Sequence, residues 1–314
     1  MRIKRKDLLG LEDLTREEIE IILETAISMR EILERPIKKV PTLKGKTVVN
    51  MFFEPSTRTQ SSFDLAAKRL SADTVSVSTK GSAVQKGESL LDTLLNIDAM
   101  KADAFIIRHW ASGAPHFLAR HTKAAVINAG DGTHEHPTQA LLDMLTMQDR
   151  FGKIEGLNVL IVGDILHSRV ARSNIFGLRK LGANVTLAGP PPLLPEYFKE
   201  FGVEICYDID EAVKGKDVIM ALRIQRERLE EAYFPTIREY RMYFGITRER
   251  LKRASKNAVI MHPGPVNWGV ELDFDLLQER ESLILDQVTN GVAIRMAVLY
   301  LFIRGEKVHE EKAL

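Results

Sequence analysis

Residues 52–63 read FFEPSTRTQSSF, and this stretch predicts how the first half of the chain folds. The apolar run at 48–53 is typical of a buried strand. The apolar residues after the turn recur at the spacing of one helix face: Phe63, Ala66, Ala67 and Leu70. Pro55 and the hydroxyls of Ser56, Thr57 and Thr59 are typical of a helix start. We therefore predict a buried strand, a tight turn and a helix N-terminus.

Arg58 is unexpected in the first turn of that helix, because the free backbone N–H groups there already carry partial positive charge. A cation is favourable at this position if a bound anion lies between the guanidinium and the amides, and phosphate is the natural candidate. The alternative is an ordinary capped helix whose arginine points to solvent. The local sequence leaves both interpretations open.

Apolar runs and helical periodicity alternate along the rest of the chain. Strands are predicted at 48–53, 74–78, 104–107, 124–127, 157–162, 184–187, 204–207, 217–222 and 258–261. Helices are predicted before the first strand and after the strands at 48–53, 74–78, 124–127, 157–162 and 184–187, and a final one at 290–304. A polar, glycine-bearing stretch at 153–156 is typical of a domain junction. The alternation predicts an α/β protein with two doubly wound, parallel-sheet domains.

Composition narrows the function classes. The 314 residues have a formal net charge of +1, from 44 basic and 43 acidic side chains, whereas nucleic-acid and membrane-surface proteins carry a basic excess. No apolar run approaches the length of a membrane span, and the basic N-terminus is not followed by the apolar core of a signal peptide. The single cysteine fits a reducing compartment. We expect a cytoplasmic globular protein without nucleic-acid or membrane partners.

Ligands of doubly wound folds bind at the carboxyl ends of strands. Basic and amide side chains follow these ends in both halves: Arg58, Arg108, His136, Gln139, Arg169, Arg223 and Gln225. Lys86 lies in a long polar loop, and HPGP at 262–265 follows the last strand. Converging cations suit substrates with several negative charges, such as a phosphate and carboxylates.

Two alternatives at these ends are less favoured. Gly163 and Asp164 resemble a dinucleotide-binding turn, but no G-x-G-x-x-G pattern follows them. His134, Glu135 and His136 resemble a metal cluster, but the run into Pro137 would separate the two imidazoles and no third soft ligand is near in sequence. We therefore predict no metal and no cofactor.

Four motifs resemble those of the aspartate/ornithine carbamoyltransferase family, in the family's order: EPSTRT at 54–59, HPTQ at 136–139, RIQRER at 223–228 and HPGP at 262–265. The resemblance covers nearly the whole chain. It implies a carbamoyl-phosphate domain formed by 1–150 with 288–314, an aspartate domain at 151–287, and a last helix that packs back on the first domain.

The implied reaction transfers the carbamoyl group of carbamoyl phosphate to the amine of L-aspartate, in pyrimidine biosynthesis. Ornithine is the rival acceptor. In the ornithine branch a cysteine follows the late histidine and a Ser-Met-Gly loop receives the side chain, whereas here Pro263 follows His262 and that loop is missing from the sequence. Lys86, Arg169 and Arg223 suit a dicarboxylate better than a cation. Transfer to another amine and a non-catalytic anion-binding module remain alternatives.

The resemblance also implies roles for single residues. Carbamoyl phosphate would be bound by Ser56, Thr57, Arg58, Thr59, Arg108, His136, Gln139, Gly264 and Pro265. Among these, the catalytic residues would be Arg58, Thr59, Arg108 and His136. Aspartate would be bound by Lys86, Arg169, Arg223 and Gln225. The amine would attack directly, without a covalent enzyme intermediate.

The family further implies a homotrimer in which Ser82 and Lys86 reach the neighbouring subunit's site. Relatives differ in whether regulatory chains or a dihydroorotase join the trimer, and the sequence leaves this open. Two positions vary from relatives: Trp268 stands where many of them have an arginine, and Gln85 stands where some carry a second lysine beside Lys86.

Overall fold

The computed structural model describes residues 3–78, 89–224, 236–276 and 281–304. The chain divides into two compact units, which are residues 1–141 with 290–314, and residues 142–289. Within the described ranges, no helix is both long enough and apolar enough to cross a membrane.

The first unit contains a parallel four-stranded sheet. Its elements are α1 (Arg16–Glu34), β1 (Thr47–Phe52), α2 (Thr57–Arg69), β2 (Asp73–Ser78), α3 (Leu90–Asp98), β3 (Ala104–His109), α4 (Ala114–Ala119), β4 (Ala125–Asp131) and the start of α5 (Pro137–Phe151). The strand order is β2-β1-β3-β4, and every pair is parallel. The order therefore reverses between β1 and β3, which is where doubly wound sheets bind ligands.

The second unit contains a parallel five-stranded sheet in the order β7-β6-β5-β8-β9. Its elements are β5 (Asn158–Val162), α6 (Arg169–Lys180), β6 (Asn184–Ala188), β7 (Glu204–Cys206), α7 (Ile209–Ala212), β8 (Val218–Ala221), α8 (Ile237–Phe244), α9 (Arg248–Leu251), β9 (Val259–Met261) and the start of α10 (Ile284–Arg304). Short 3-10 helices lie at Pro191–Leu193, Glu196–Phe201 and Phe274–Leu276. Here the order reverses between β5 and β8.

Each unit has its own apolar core. In the first unit, side chains of β1, β3 and β4 pack with those of α3 and α4, including Met51, Phe105 and Leu94. In the second unit, β5, β8 and β9 pack against α7 and α8, with Tyr240 fully buried. The predicted class, two parallel-sheet α/β domains, is confirmed.

The last helix packs back on the first unit, as predicted, through contacts with α1 and α2. The Arg30 guanidinium of α1 donates to the Asn290 side-chain oxygen at 3.1 Å, and Arg295 lies over the Phe63 ring of α2 at 5.1 Å. The predicted start at residue 290 is wrong, because α10 begins at Ile284. Gln287 is buried in the first turns of α10. A polar residue at a buried position interrupts the apolar periodicity from which the start of the helix was predicted.

Some other boundaries also differ from the predictions. Strand β3 continues through Arg108 and His109, and β4 continues through Asp131, beyond their apolar runs. The pairing of β4 continues past its apolar run because the Asn128 side chain fixes this part of the strand. Its amide donates to the Leu9 carbonyl and to Asp131, each at 2.8 Å. The short helices α4, α7 and α8 are not predicted from the sequence, because they have too few turns to show a clear apolar period.

Candidate active site

The N-terminus of α2 follows the carboxyl end of β1. The first intrahelical bond runs from the Gln60 N–H to the Ser56 carbonyl at 3.0 Å, so the N–H groups of residues 57–59 have no acceptor within the helix. The first turn contains no acidic residue, and Ser56 makes no capping bond with its side chain. The Arg58 side chain is exposed, and Thr59 is buried. These N–H groups and Arg58 can bind a phosphate.

Arg108 fixes the turn after β1 to the end of β4. Its Nε lies 3.5 Å from Glu54, and its Nη1 donates to the Ala129 carbonyl at 3.0 Å. The Phe53 N–H donates to the Arg108 carbonyl at 2.8 Å. The guanidinium is therefore held at the reversal between β1 and β3, beside the turn that leads into α2. Glu54, which orients Arg108, is a contact that the sequence analysis missed.

The loop before α5 is held by two buried carboxylates. Asp131 accepts from the Gly113 N–H at 2.7 Å, from the Asn128 amide at 2.8 Å and from the Glu135 N–H at 3.2 Å. Glu135 accepts from the backbone N–H groups of residues 11 and 12 at 2.7 and 3.0 Å. A Cβ at Gly10 would lie 2.1 Å from the Glu135 carboxylate, so any larger residue there would displace that carboxylate.

His136 and Gln139 follow this clamped loop at the start of α5. Both side chains are buried, and the Gln139 N–H donates to the His136 carbonyl at 3.0 Å. Because β3 and β4 are adjacent and parallel, the start of α5 lies at the same sheet edge as Arg108. The start of α2, the end of β3 and the start of α5 thus bring the predicted residues of the first unit to one edge of its sheet: Ser56, Thr57, Arg58, Thr59, Arg108, His136 and Gln139.

Asp131 and His134 shift each other's pKa values. Burial raises the pKa of Asp131, but the neighbouring His134 imidazole and the hydrogen bonds from Gly113 and Asn128 outweigh it and lower the pKa overall. The neighbouring Asp131 carboxylate raises the pKa of His134 despite burial. Asp131 is therefore ionised at neutral pH, and it anchors the loop as a carboxylate.

In the second unit, Arg169 and Arg223 lie on the two sides of the strand reversal. Arg169 is buried at the first position of α6, where Ser168 caps the helix by accepting from the Ala171 N–H at 3.1 Å. Arg223 lies two residues after the last residue of β8. Between the two strands, Gly163 has a φ of +137°, and a Cβ there would lie 3.0 Å from Leu222. Only glycine allows β5 and β8 to end this closely.

Glu271 holds the segment that carries Arg223. Its buried carboxylate accepts from the Ile224 N–H at 2.9 Å, from the Asn267 N–H at 2.8 Å and from the Asn267 side-chain amide at 2.7 Å. Burial raises the pKa of Glu271, and these hydrogen bonds oppose the rise. The same carboxylate therefore joins the loop after β8 to the loop after β9. Trp268, beside Asn267, packs half-buried against the core of this unit.

The HPGP loop is positioned by a buried polar chain. The Gly264 N–H donates to His262 Nδ1 at 2.7 Å, and the His262 N–H donates to the Gln287 side-chain oxygen at 3.0 Å. The Gln287 amide in turn donates to Asp143 at 2.7 Å. Asn174 also donates to Asp143, at 2.8 Å. The chain fixes Gly264 and Pro265, whose peptide bond is cis.

The predicted site residues thus fall into two groups, one in each unit. Arg169, Arg223, Gly264 and Pro265 lie at the carboxyl edge of the second sheet. Ser82, Gln85, Lys86 and Gln225 lie outside the described residues. The sequence analysis missed the acids that hold the loops, namely Glu54, Asp131, Glu135, Asp143 and Glu271. Their partners are mostly backbone N–H groups or side chains that are distant in sequence. The one signal in the sequence was the position of some of these acids beside predicted strand ends.

A cluster in the first unit offers metal ligands. Donor atoms of His116, Asp131 and His134 all lie within 4.8 Å of one another, and Glu12, His134 and Glu135 form a second such group. Sequence spacing did not indicate the first group, because His116 belongs to the short helix α4.

Known proteins resemble this chain over nearly its full length. Residues 6–149 match the family model described as aspartate/ornithine carbamoyltransferase, carbamoyl-P binding domain, and residues 155–302 match the Asp/Orn binding domain of the same family. The aspartate carbamoyltransferase catalytic subunit of Syntrophobacter fumaroxidans is 60% identical over 98% of this chain and 100% of its own length. That of Geobacter sulfurreducens is 58% identical, over 99% and 100%.

Solved structures resemble the fold as well. Aspartate transcarbamoylase from Trypanosoma cruzi, in complex with N-(phosphonacetyl)-L-aspartic acid, superposes with a TM-score of 0.87 at 29% identity and covers 95% of both chains. Ornithine carbamoyltransferase from Pyrococcus furiosus superposes with a TM-score of 0.84 at 32% identity, over 95% of this chain and 97% of its own. With two family models that together span most of the sequence, the chain belongs to the aspartate/ornithine carbamoyltransferase family.

Proposed function

We propose that this protein transfers the carbamoyl group of carbamoyl phosphate to the amine of L-aspartate, giving N-carbamoyl-L-aspartate and phosphate for pyrimidine biosynthesis. The observation that carries the proposal is the α2 N-terminus with Arg58, beside an Arg108 fixed at the strand reversal. It occurs in a chain that is 56–60% identical to several aspartate carbamoyltransferase catalytic subunits.

The first unit binds carbamoyl phosphate in this proposal. The phosphate lies on the N–H groups of α2, with the hydroxyls of Ser56 and Thr57 and the guanidinium of Arg58 around it. Thr59, Arg108 and His136 donate to the carbonyl oxygen. Gln139, together with the backbone of Gly264 and Pro265, binds the carbamoyl amine. The residue ranges 1–150 with 288–314 form the carbamoyl-phosphate domain.

The aspartate domain, which we place at residues 151–287, binds aspartate in this proposal. Arg169 and Arg223 bind the two carboxylates, because a guanidinium matches a carboxylate with paired donors. Lys86 adds a third cation, and Gln225 lies near the substrate amine. The buried position of Arg169 and the Glu271 contact behind Arg223 support this role, since both arginines are attached to well-held backbone.

The reaction needs no covalent enzyme intermediate, because phosphate is already a good leaving group. The α-amine of aspartate attacks the carbonyl carbon, the C–O bond to phosphate breaks, and the amine proton passes to the departing phosphate. Thr59, Arg108 and His136 stabilise the developing oxyanion, and Arg58 stabilises the charge on the phosphate. Each donor acts by position and charge, and none of them needs to change its protonation state.

Ornithine is the second candidate acceptor, because an ornithine carbamoyltransferase has nearly the same fold at 32% identity. The positive charge of the side chains in the second unit argues against ornithine as the acceptor. Ornithine carries a cationic side chain, whereas the second unit offers Arg169 and Arg223 at the sheet edge. The fold alone cannot discriminate the two acceptors, so the discrimination depends on these side chains.

We also propose that the active unit is a cytoplasmic homotrimer whose sites are shared. The family resemblance supports this, with Ser82 and Lys86 as the residues that reach the neighbouring subunit's site. Regulatory chains or a dihydroorotase are compatible with such a trimer.

The decisive experiment is a colorimetric assay of the purified protein with carbamoyl phosphate and either L-aspartate or L-ornithine. We expect carbamoyl-aspartate and no citrulline. Citrulline alone would assign the ornithine reaction. If neither product forms while carbamoyl phosphate still binds, the protein is an anion-binding module.

A further inference from the structure

Two imidazoles and one carboxylate lie together in the first unit, outside the residues assigned to the substrates. Donor atoms of His116, Asp131 and His134 are all within 4.8 Å of one another. His134 Nδ1 lies 3.7 Å from Asp131 Oδ2, and the two imidazole rings are 5.7 Å apart at 69°. Nδ1 of His116 is buried and makes no hydrogen bond with any residue that the structure describes.

Hydrogen bonds hold the Asp131 carboxylate so that one lone pair faces this cluster. Its Oδ1 accepts from the Asn128 amide and the Glu135 N–H, which uses both lone pairs of that oxygen. Among the described residues, only the Gly113 N–H donates to its Oδ2, which leaves one lone pair on the oxygen that lies near His134. A carboxylate positioned in this way is a prepared monodentate ligand.

His134 is oriented from its other side. Its Nε2 faces a carboxylate oxygen of Glu12 at 3.7 Å, while its Nδ1 faces Asp131. In many metalloproteins a carboxylate beside one ring nitrogen of a histidine fixes the tautomer, so that the other nitrogen presents its lone pair to the metal. Glu12 is in the right place for this role.

We propose that His116, Asp131 and His134 bind a divalent transition-metal ion of the Zn²⁺ type. Imidazole nitrogens favour such ions, whereas Ca²⁺ and Mg²⁺ prefer sites made of oxygen alone. Metal–ligand bonds of about 2.0–2.1 Å in a tetrahedral site separate the ligand atoms by about 3.3 Å, so small side-chain rotations complete the geometry. Three protein ligands leave a fourth position for water.

The proposed ion would join three parts of the first unit: helix α4, the end of β4 and the loop that precedes His136. It therefore stiffens the loop without contacting a substrate. A proton on His134 competes with the metal, and occupancy rises with pH. The proposed site differs from the run of residues 134–136, which the sequence disfavours as a metal cluster, because His136 takes no part in it. The third ligand comes from His116, which is 18 residues away along the chain.

The test uses the full chain after treatment with a chelator. Zn²⁺ is titrated by calorimetry, and Co²⁺ is followed by its visible absorption, which reports coordination by nitrogen ligands. The variants are His116→Ala and His134→Ala. His121→Ala is the matched control, because His121 is an exposed histidine near the end of α4, with its ring 4.6 Å from that of Phe117. We expect one ion per chain in the wild type and the control, and at least about a 10-fold weaker binding in the other two variants.

Thermal unfolding gives a readout that does not depend on activity. Zn²⁺ should raise the unfolding midpoint of the wild type and the control, and should not raise that of His116→Ala or His134→Ala. If either variant fails to fold, Asp131→Asn replaces it, and anomalous diffraction from Zn²⁺-soaked wild-type crystals locates the ion. The proposal is overturned if the wild type binds less than one ion per chain, if all variants bind Co²⁺ alike, or if the anomalous peak lies elsewhere.

Discussion

The Glu271 carboxylate accepts a hydrogen bond from the Ile224 backbone N–H at 2.9 Å. Ile224 directly follows Arg223, so a buried acid on the loop after β9 fixes the backbone beside Arg223, the arginine that we propose binds aspartate. The same carboxylate accepts two hydrogen bonds from Asn267. Glu271 never has to touch substrate to affect aspartate binding.

Replacement of Glu271 by glutamine should weaken aspartate binding selectively. One carboxylate oxygen becomes an NH₂ group that faces an N–H donor, and a lost hydrogen bond to a charged group costs about 1.5–3 kcal/mol. We expect the KM for aspartate to rise by on the order of 10-fold or more, with a smaller change in kcat. Steady-state kinetics measure both. Carbamoyl phosphate affinity, measured by calorimetry, should stay unchanged.

The control is Asp273→Asn, which removes a surface ion pair with Arg241 at 2.8 Å on the same loop. It should leave the KM for aspartate near the wild-type value. Equal losses of affinity for both substrates in the Glu271 variant would show that the residue supports the fold in general, and not the Arg223 segment.

Glu271 should also contribute to the pH dependence of stability. Burial raises its pKa in the folded protein above the ordinary value of 4.5. The folded state then binds the proton more tightly than the unfolded state, so ionised Glu271 destabilises the fold above its folded pKa. That penalty is relieved as pH falls through the folded pKa, and it is gone below the unfolded pKa. Chemical denaturation from pH 7.5 to 4.5 should show wild type gaining stability relative to Glu271→Gln. A constant difference would contradict the raised pKa.

Arg58 should be essential for turnover and dispensable for folding. Its side chain is exposed, so alanine costs little packing, but a partner of the phosphate is lost. We expect Arg58→Ala to lower kcat by on the order of 10²-fold or more. Lys68→Ala is the matched control on α2, because Lys68 pairs with Asp64 at 2.7 Å on the exposed face. Kinetics and thermal unfolding are measured for both. Full activity in Arg58→Ala would assign Arg58 to the solvated surface.

Much of this architecture could be predicted from the sequence, because it is local. The apolar run at 48–53, the hydroxyls after it and the helical spacing from Phe63 predict β1, the turn and α2, and the structure contains all three. The basic side chains at strand ends could also be found, since alternating strands and helices place those ends at one sheet edge.

The residues that hold the site in place could not be predicted, because their partners are distant in sequence. Glu135 binds backbone N–H groups at residues 11 and 12, and Asp143 binds Gln287. Backbone N–H groups exist at every position except proline, so nothing in the sequence indicates which of them a buried acid contacts. His116 could not be predicted as a metal ligand either, because it is distant in sequence from Asp131 and His134 and lies on a helix of only six residues.

Hybrid trimers test whether the sites are shared. Arg58→Ala and Lys86→Ala chains should each be nearly inactive alone. If Lys86 acts in the neighbouring subunit's site, a mixed trimer contains a site in which neither residue is replaced, and part of the activity returns. Chains are mixed under dissociating conditions, and mixed trimers are separated by a charge tag before assay. Mixed trimers that remain inactive would rule out shared sites.

Asp143 should stabilise the second unit through the buried chain that ends at the HPGP loop. Its carboxylate accepts from Asn174 at 2.8 Å and from Gln287 at 2.7 Å, and Gln287 accepts from the His262 N–H. Asparagine at this position would direct an NH₂ group at one of those two donors. A buried donor left without an acceptor costs about 1–3 kcal/mol, so the free energy of unfolding should fall by that amount.

The matched control is Asp149→Asn, an exposed acid on the same helix. Urea unfolding of both variants measures the difference, and the control should lie within about 0.5 kcal/mol of the wild type. Activity separates two roles for Asp143. If the chain also positions Gly264 and Pro265, Asp143→Asn will raise the KM for carbamoyl phosphate at temperatures where the variant is fully folded. A variant with lower stability and unchanged kinetics would limit Asp143 to the fold.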